Sequence, residues 1–446
     1  MRVGWVIKKG MLKLAASVAV LAACAPAATS SPFTEPQAEG SAVTDSSPTV
    51  STRPQPAAGC ADPAGAAWQE QATSQPVRLL ELDNGLTVEI VEYPVPDYDA
   101  RLWSQWGQGA VMADGTFISA VGDHDGPDGN SFFFAFDPNS NTLTRFSDVL
   151  SLVDHQAGDF GYGKVHAQMV VGACGEIYAH TYWGTRRGLE YSGGYLGDLL
   201  LRIDPGSIEV LGVTSEQRGT ASMAGTSDGN TLFLEMVEPE TNEGELVVYD
   251  LRARQQVAAL DDAHIGNRAL AVGNDDRVYF SSGATRLSVY DPASGTVAAV
   301  DATIPGEILR AATPPRADGS IVGVTRDPDE FFILRDDGTI EPLGSAAAYT
   351  ASLAMSPDGG RVYYVPGAHG GSGELGTPVV ELNVETGEQT NLVELFDAAA
   401  EMLDVRLGGS YNVVLDPEGR RLYVGLNAGE GEETFGRVFL AIINLP

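Results

Sequence analysis

The residues of this chain best suited to chemistry crowd between Asp159 and Arg202. Lys164, His166 and Gln168 alternate, so on an extended strand their side chains share one face. Tyr178, His180 and Tyr182 alternate in the same way, and Trp183, Arg186, Arg187, Tyr191 and Tyr195 follow. The stretch holds four acids and four cations, and Lys164 is the only lysine beyond Lys13. It is therefore a locally neutral window in a chain of net charge −33. Lys164 with Arg186 or Arg187 could neutralise a uronate carboxylate and so acidify the C–H beside it. His166 or His180 could take that proton, because a neutral imidazole is a suitable base near pH 7. Tyr182 could protonate the leaving oxygen. Trp183, Tyr191 and Tyr195 offer flat faces to sugar rings. Catalytic candidates are thus His166, His180, Tyr182 and Lys164. Substrate-binding candidates are Arg186, Arg187, Trp183, Tyr191 and Tyr195, joined by His124 and His369 from elsewhere in the chain.

Other motifs invite chemistry less well. Asp123, Asp125 and Asp128 carry oxygen ligands suited to calcium, but their spacing departs from the EF-hand pattern, and a solvated glycine-rich loop is the alternative. No Cys/His spacing fits zinc, so no metal centre is expected. Gly225, Ser227 and Gly229 match G-x-S-x-G, a motif that needs a strand-to-helix elbow. Gly371, Gly373 and Gly376 match G-x-G-x-x-G, which needs a helix N-terminus for a phosphate. Both are expected to be loops between strands.

The elements that must position these residues come from a repeat. Seven turns end at Gly115, Gly175, Gly229, Asp276, Gly319, Gly359 and Gly419. Each precedes a run of β-formers, at 117–122, 176–183, 231–237, 277–282, 320–326, 361–367 and 421–427. A second run in each unit ends at an Asp-Pro or similar turn. A period of roughly 40–60 residues with several strands per unit predicts an all-β, seven-bladed β-propeller, with six or eight blades as alternatives. The last unit lacks a fourth strand. Asn84-Gly85 between two apolar runs reads as a hairpin, one arm of which should close the ring from the N-terminus. In such blades the outer-to-inner and second-to-third connections share one face. The six histidines (His124, His155, His166, His180, His264 and His369) fall on that face or lean toward it, as do the insertions 184–197, 366–377 and 428–435.

The segments SPDGGRVYYV (356–365), DPEGRRLYVGL (416–426) and YDPASGTV (290–297) resemble YVTN and WD40-like propeller repeats. The resemblance extends over nearly all of the chain after Ala113. It implies a scaffold shared by lactonases, lyases and binding modules, and it transfers no catalytic residues. Around His166 the chain is similar in kind to propeller-type polysaccharide lyases, which use His, Tyr and basic residues on one propeller face. Two expectations follow. One is a non-catalytic surface module binding a glycan or a protein on that face. The alternative is a lyase cleaving an acidic glycan by β-elimination.

The N-terminus speaks for location. Residues 1–23 have a basic start and an apolar run too short to span a bilayer. They end Leu21-Ala22-Ala23 before Cys24, which resembles a bacterial lipobox. The resemblance implies cleavage before Cys24 and a lipid on its thiol, hence an extracytoplasmic protein anchored to a bacterial membrane or cell surface. Residues 24–67 are rich in Ala, Pro, Ser and Thr and read as a disordered tether, leaving 68–446 for the propeller. Outside the cytoplasm Cys60 and Cys174 are a plausible disulfide. Without its first 24 residues the chain would keep 23 cations against 60 acids, a balance that repels nucleic acid. A monomer is expected.

Overall fold

The computed structural model describes residues 68–100, 102–182, 197–215, 218–237, 244–264, 269–429 and 434–446, with side chains in the fourth strand of the third blade described to Leu260. Cys24, Cys60, Trp183, Arg186, Arg187, Tyr191 and Tyr195 lie outside them.

All seven turn residues named above adopt left-handed backbone: Gly115 (φ 94°), Gly175 (83°), Gly229 (65°), Asp276 (62°), Gly319 (83°), Gly359 (70°) and Gly419 (71°). Glycine accepts this at no steric cost, and Asp is among the few other residues that visit it. Five turns are also closed by a side chain. The Oδ1 atoms of Asp114, Asp228, Asp275, Asp318 and Asp358 accept the N–H two residues ahead at 2.9–3.2 Å.

Around these turns the chain folds into seven antiparallel sheets, the blades of a β-propeller. Blades 1 to 7 span 110–148, 164–215, 219–264, 271–303, 308–345, 354–394 and 406–444. Inside-out strand order follows the sequence in each, apart from the N-terminal strands added at the outer edges of blades 7 and 1. The ring closes through Thr87–Glu92, which pairs with Arg437–Asn444 as the fourth strand of blade 7. Arg437 grips Glu92 with two bonds of 2.7 Å across that seam. The hairpin turns at Gly85 (φ 84°), and its other arm, Val77–Glu81, adds a fifth strand. Ala72–Ser74 adds a fifth strand to blade 1, which the sequence pattern did not suggest.

The core lies between blades. One apolar cluster joins Phe133 and Phe146 of blade 1 to Ile177, Leu201 and Ile203 of blade 2. Another joins blade 7 to blade 1, where Phe117 stacks on Tyr423 with ring centroids 4.6 Å apart. Each buried large side chain contributes about 1.5–3 kcal/mol, so every blade depends on its neighbours.

Two departures from regularity bear on function. The inner strand of blade 2 is broken into Lys164–Val165 and Val170–Val171, with His166 and Gln168 in the gap. A short α-helix, Phe396–Leu403, occupies the connection from blade 6 to blade 7. No described helix is long and apolar enough to cross a membrane. Ser227 lies in the tight turn between Gly219–Gly225 and Thr231–Val237, so its G-x-S-x-G is a blade turn. Gly371–Leu375 forms one 3-10 turn between strands.

Candidate functional site

Trp106 is the hub of the face where the inner strands begin. It lies in the connection entering blade 1, and a polar network holds that connection. Gln105 N–H donates to Asn427 Oδ1 at 2.7 Å, Asn427 Nδ2 donates back to Gln105 O at 2.9 Å, and Gly109 N–H donates to Asn412 Oδ1 at 2.9 Å. Gln108 Nε2 donates to the carbonyls of Leu353 and Val413. These bonds tie residues more than 240 apart in sequence, so the Trp106 backbone is fixed by ring closure.

Four aromatic rings surround Trp106. Phe435 stacks on it at 5.9 Å with planes 8° apart, Tyr411 lies at 4.8 Å, His124 at 5.5 Å and His369 at 5.7 Å. His369 in turn stacks on Tyr349 at 5.3 Å. His124 and His369 both have left-handed backbone, φ 61° and 65°, at the tips of equivalent loops in blades 1 and 6. Such backbone on a non-glycine residue is uncommon and clusters at ligand sites.

Cations sit on these rings. Lys164 Nζ is 4.6 Å from the Trp106 ring, and the Arg310 guanidinium is 5.1 Å from that of Tyr349, whose hydroxyl it also bonds. Arg326 lies 5.3 Å from the same ring and pairs with Asp327. Cation and ring attract one another, more strongly where water is excluded. Trp106, Gln108, His166, Gln168, Arg310 and Tyr411 line a small cavity at the mouth of the central channel.

His166 belongs to this group. Its Nδ1 is 2.9 Å from the Ala221 carbonyl, which only accepts, so Nδ1 carries a proton and Nε2 is the nitrogen that is basic in the neutral ring. Its ring is 4.7 Å from that of Tyr182, across the hairpin that pairs Tyr182 with Lys164. Gln168 is turned to blade 3, where its Oε1 accepts Ser222 Oγ at 3.0 Å.

His180 does not belong to it. It is fully buried, with Nε2 at 2.7 Å from Thr214 Oγ1 and 3.2 Å from Thr220 Oγ1, and Nδ1 at 3.2 Å from Thr181 O. Burial lowers its pKa to about 4, so it stays neutral as a strut between blades 2 and 3. The expected role as a base at a sugar proton has no approach path in this structure. Tyr178 is likewise core, with its hydroxyl on Glu176 Oε1 at 2.9 Å. His155 stands apart near Asp159 O at 3.2 Å.

The three acids considered for calcium do not converge. Asp123 is buried and spends its oxygens on Asp125 N–H, Asn130 N–H and the Tyr98 hydroxyl at 2.8–3.0 Å. Burial raises its pKa to about 6 despite those bonds. Asp128 accepts Gly158 N–H at 2.8 Å. Among the described residues no three His, Cys, Asp or Glu side chains form a metal-holding group.

The sequence reading missed Trp106, Tyr349, Tyr411, Phe435, Arg310 and Gln108. Their common signal is position: each lies on or just before an inner strand, or in a second-to-third connection, and so faces the mouth.

No protein-family model and no curated protein matches the chain. Solved structures do. One is U3-55K, at 12% identity and TM-score 0.52, the match covering 78% of this chain and 97% of that one. Another is an oligogalacturonate lyase from Vibrio parahaemolyticus, at 12% identity and TM-score 0.51, covering 85% of this chain and 99% of that one. At such identity the likeness shows the propeller fold alone.

Proposed function

We propose that this chain is an extracytoplasmic propeller of the YVTN/WD40-like kind, anchored through a lipid on Cys24, whose channel mouth binds an acidic glycan. The observation that carries the reading is the pairing of cations with flat aromatic faces, Lys164 on Trp106 and Arg310 on Tyr349. Aromatic faces suit the apolar faces of sugar rings, and the cations suit carboxylates. In a chain of net charge −33 such a basic mouth draws an anion to one place on an otherwise repelling surface. Calorimetric titration of residues 25–446 with an acidic and a neutral oligosaccharide of equal length tests this. Binding of the acidic one, weakened by salt, is expected. Equal binding of both, or binding unaltered in Trp106→Ala, overturns it.

A second reading, β-elimination on the same ligand, is favoured by His166. Its Nε2 lone pair would take the proton beside the uronate carboxylate, and the electron pair of that C–H bond would form a C=C bond as the bond to the leaving oxygen breaks. Tyr182, against the His166 ring, would return a proton to that oxygen. Absorbance of an unsaturated product with a panel of polyuronates, absent in His166→Ala, is the expected result. A folded protein giving no such absorbance on any of them leaves the binding reading alone.

A further inference from the structure

The face opposite the aromatic mouth is formed by the turns that follow the inner strands. It holds a cleft of about 340 Å³ where blades 7, 1 and 2 meet, a size typical of small-molecule sites. Three turns wall it, at 111–115, at 171–175 and from Asp416 onward. A carboxylate fixes each turn through the backbone. Asp114 Oδ1 accepts Thr116 N–H at 2.9 Å, and Glu176 Oε2 accepts Cys174 N–H at 2.8 Å. Asp416 Oδ1 accepts the N–H groups of Arg420 and Arg421 at 2.6 and 3.0 Å. Cys174 is also disulfide-bonded. The cleft is therefore shaped before any ligand arrives, which lowers the ordering cost of binding.

Its lining divides by chemistry. Val111, Met112, Ala113, Pro138 and Val171 give an apolar wall, and Val171, 42% exposed, stands at the opening. Three acids, Asp114, Asp416 and Glu418, face one cation, Arg421. Glu418 is paired with Arg420, and Arg421 lies against the Tyr423 hydroxyl. Asp416 differs from the other two acids. It is buried, its Oδ1 is spent on two N–H groups, and its Oδ2 has no hydrogen-bond partner among the described residues. A carboxylate held in place by one oxygen offers the other to a charged donor, the stronger kind of hydrogen bond. One such oxygen is too few for a calcium ion, which takes about six oxygen ligands or more.

We propose that this cleft binds a small apolar amine. Asp416 Oδ2 accepts from its ammonium, the exposed carboxylate of Asp114 adds attraction, and the apolar wall takes its hydrocarbon body. The net charge of −33 favours a cation over an anion here. The site is separate from the aromatic mouth and opposite in preference, since the mouth presents Lys164 and Arg310.

Three probes with one indole body test it: tryptamine carries an ammonium, tryptophol a hydroxyl and indole-3-propionate a carboxylate. In ligand-observed NMR titrations of the full chain at pH 7, tryptamine should bind at least about tenfold more tightly than tryptophol, and the acid should not bind. Asp416→Asn keeps the turn acceptor and removes the charge. It should lose about tenfold in tryptamine affinity and leave that of tryptophol unchanged. Val171→Lys, at a half-exposed position, places a competing ammonium at the opening and should weaken tryptamine alone, by about threefold to tenfold. Tryptophol binding retained in both variants shows that each is folded. No binding of tryptamine, equal affinity for tryptamine and tryptophol, or tryptamine affinity unaltered in both variants overturns the proposal. None of the probes is a glycan, so the reading of the mouth stands or falls separately.

Discussion

Blade 2 contains two buried histidines that look alike in sequence and differ in what they face. His166 stands in the gap of the broken inner strand, at the edge of a cavity shared with Trp106 and Arg310. His180 stands in the unbroken second strand, Ile177–Tyr182, with both ring nitrogens engaged by blade residues and no exposed surface. Both alternate with polar or aromatic neighbours. What separates them is depth from the channel: the inner strand borders open space, and the second strand is roofed by blade 3 on one side. A histidine's chemistry is thus set by which strand carries it more than by its local sequence.

The comparison can be attacked first through stability. His180→Ala should destabilise the fold by about 2–4 kcal/mol in urea unfolding, since it opens a buried space and strands two threonine hydroxyls. His166→Ala should cost about 1 kcal/mol or less by the same measurement. Equal losses would break the distinction between strut and site residue.

A pH series sharpens it. The pKa of His180 falls from 6.5 to about 4 on folding, so the unfolded chain binds the extra proton between those values. Stability from this group is complete above pH 6.5 and falls as pH drops toward 4, by about 3 kcal/mol in all. Asp123 has the opposite sign. Its pKa rises from 3.8 to about 6, so its contribution is complete below pH 3.8 and is lost as pH rises toward 6, again by about 3 kcal/mol. The two slopes largely cancel in the intact protein. Unfolding of His180→Gln should show stability falling from pH 4 to 6, and Asp123→Asn should show it rising. Parallel profiles would refute the assignment.

At the mouth, Trp106→Ala should weaken acidic-oligosaccharide binding about 30-fold, the loss typical of a central aromatic contact. Lys164→Gln should give the smallest effect, about threefold to tenfold in affinity and a shallower salt dependence, because the charge is half-exposed and screened. Both are read by calorimetric titration.

Much of the fold was legible because its determinants are local. A left-handed turn needs Gly or Asp, and the Asp side chain closes it within two residues. Asn84-Gly85 announced the hairpin whose second arm closes the ring. The site was legible only in part. Lys164, His166, His124 and His369 were expected on or near one face, and the structure gathers them around Trp106, which was not picked out. Its neighbours come from blades 1, 2, 6 and 7, up to about 330 positions apart, and no periodicity relates them. His180 was misread for the complementary reason: alternation along a strand says which residues share a side, not what packs against that side.

By itself, then, the sequence determined the blade count, the turn geometry and the hairpin that seals the ring, because backbone sterics and hydrogen bonds act over a few residues. Only the tertiary structure decided which polar residues line the channel mouth and which become struts. Closing seven sheets around an axis brings together side chains that the chain keeps far apart, and it sets the burial that shifts Asp123 and His180 in opposite directions.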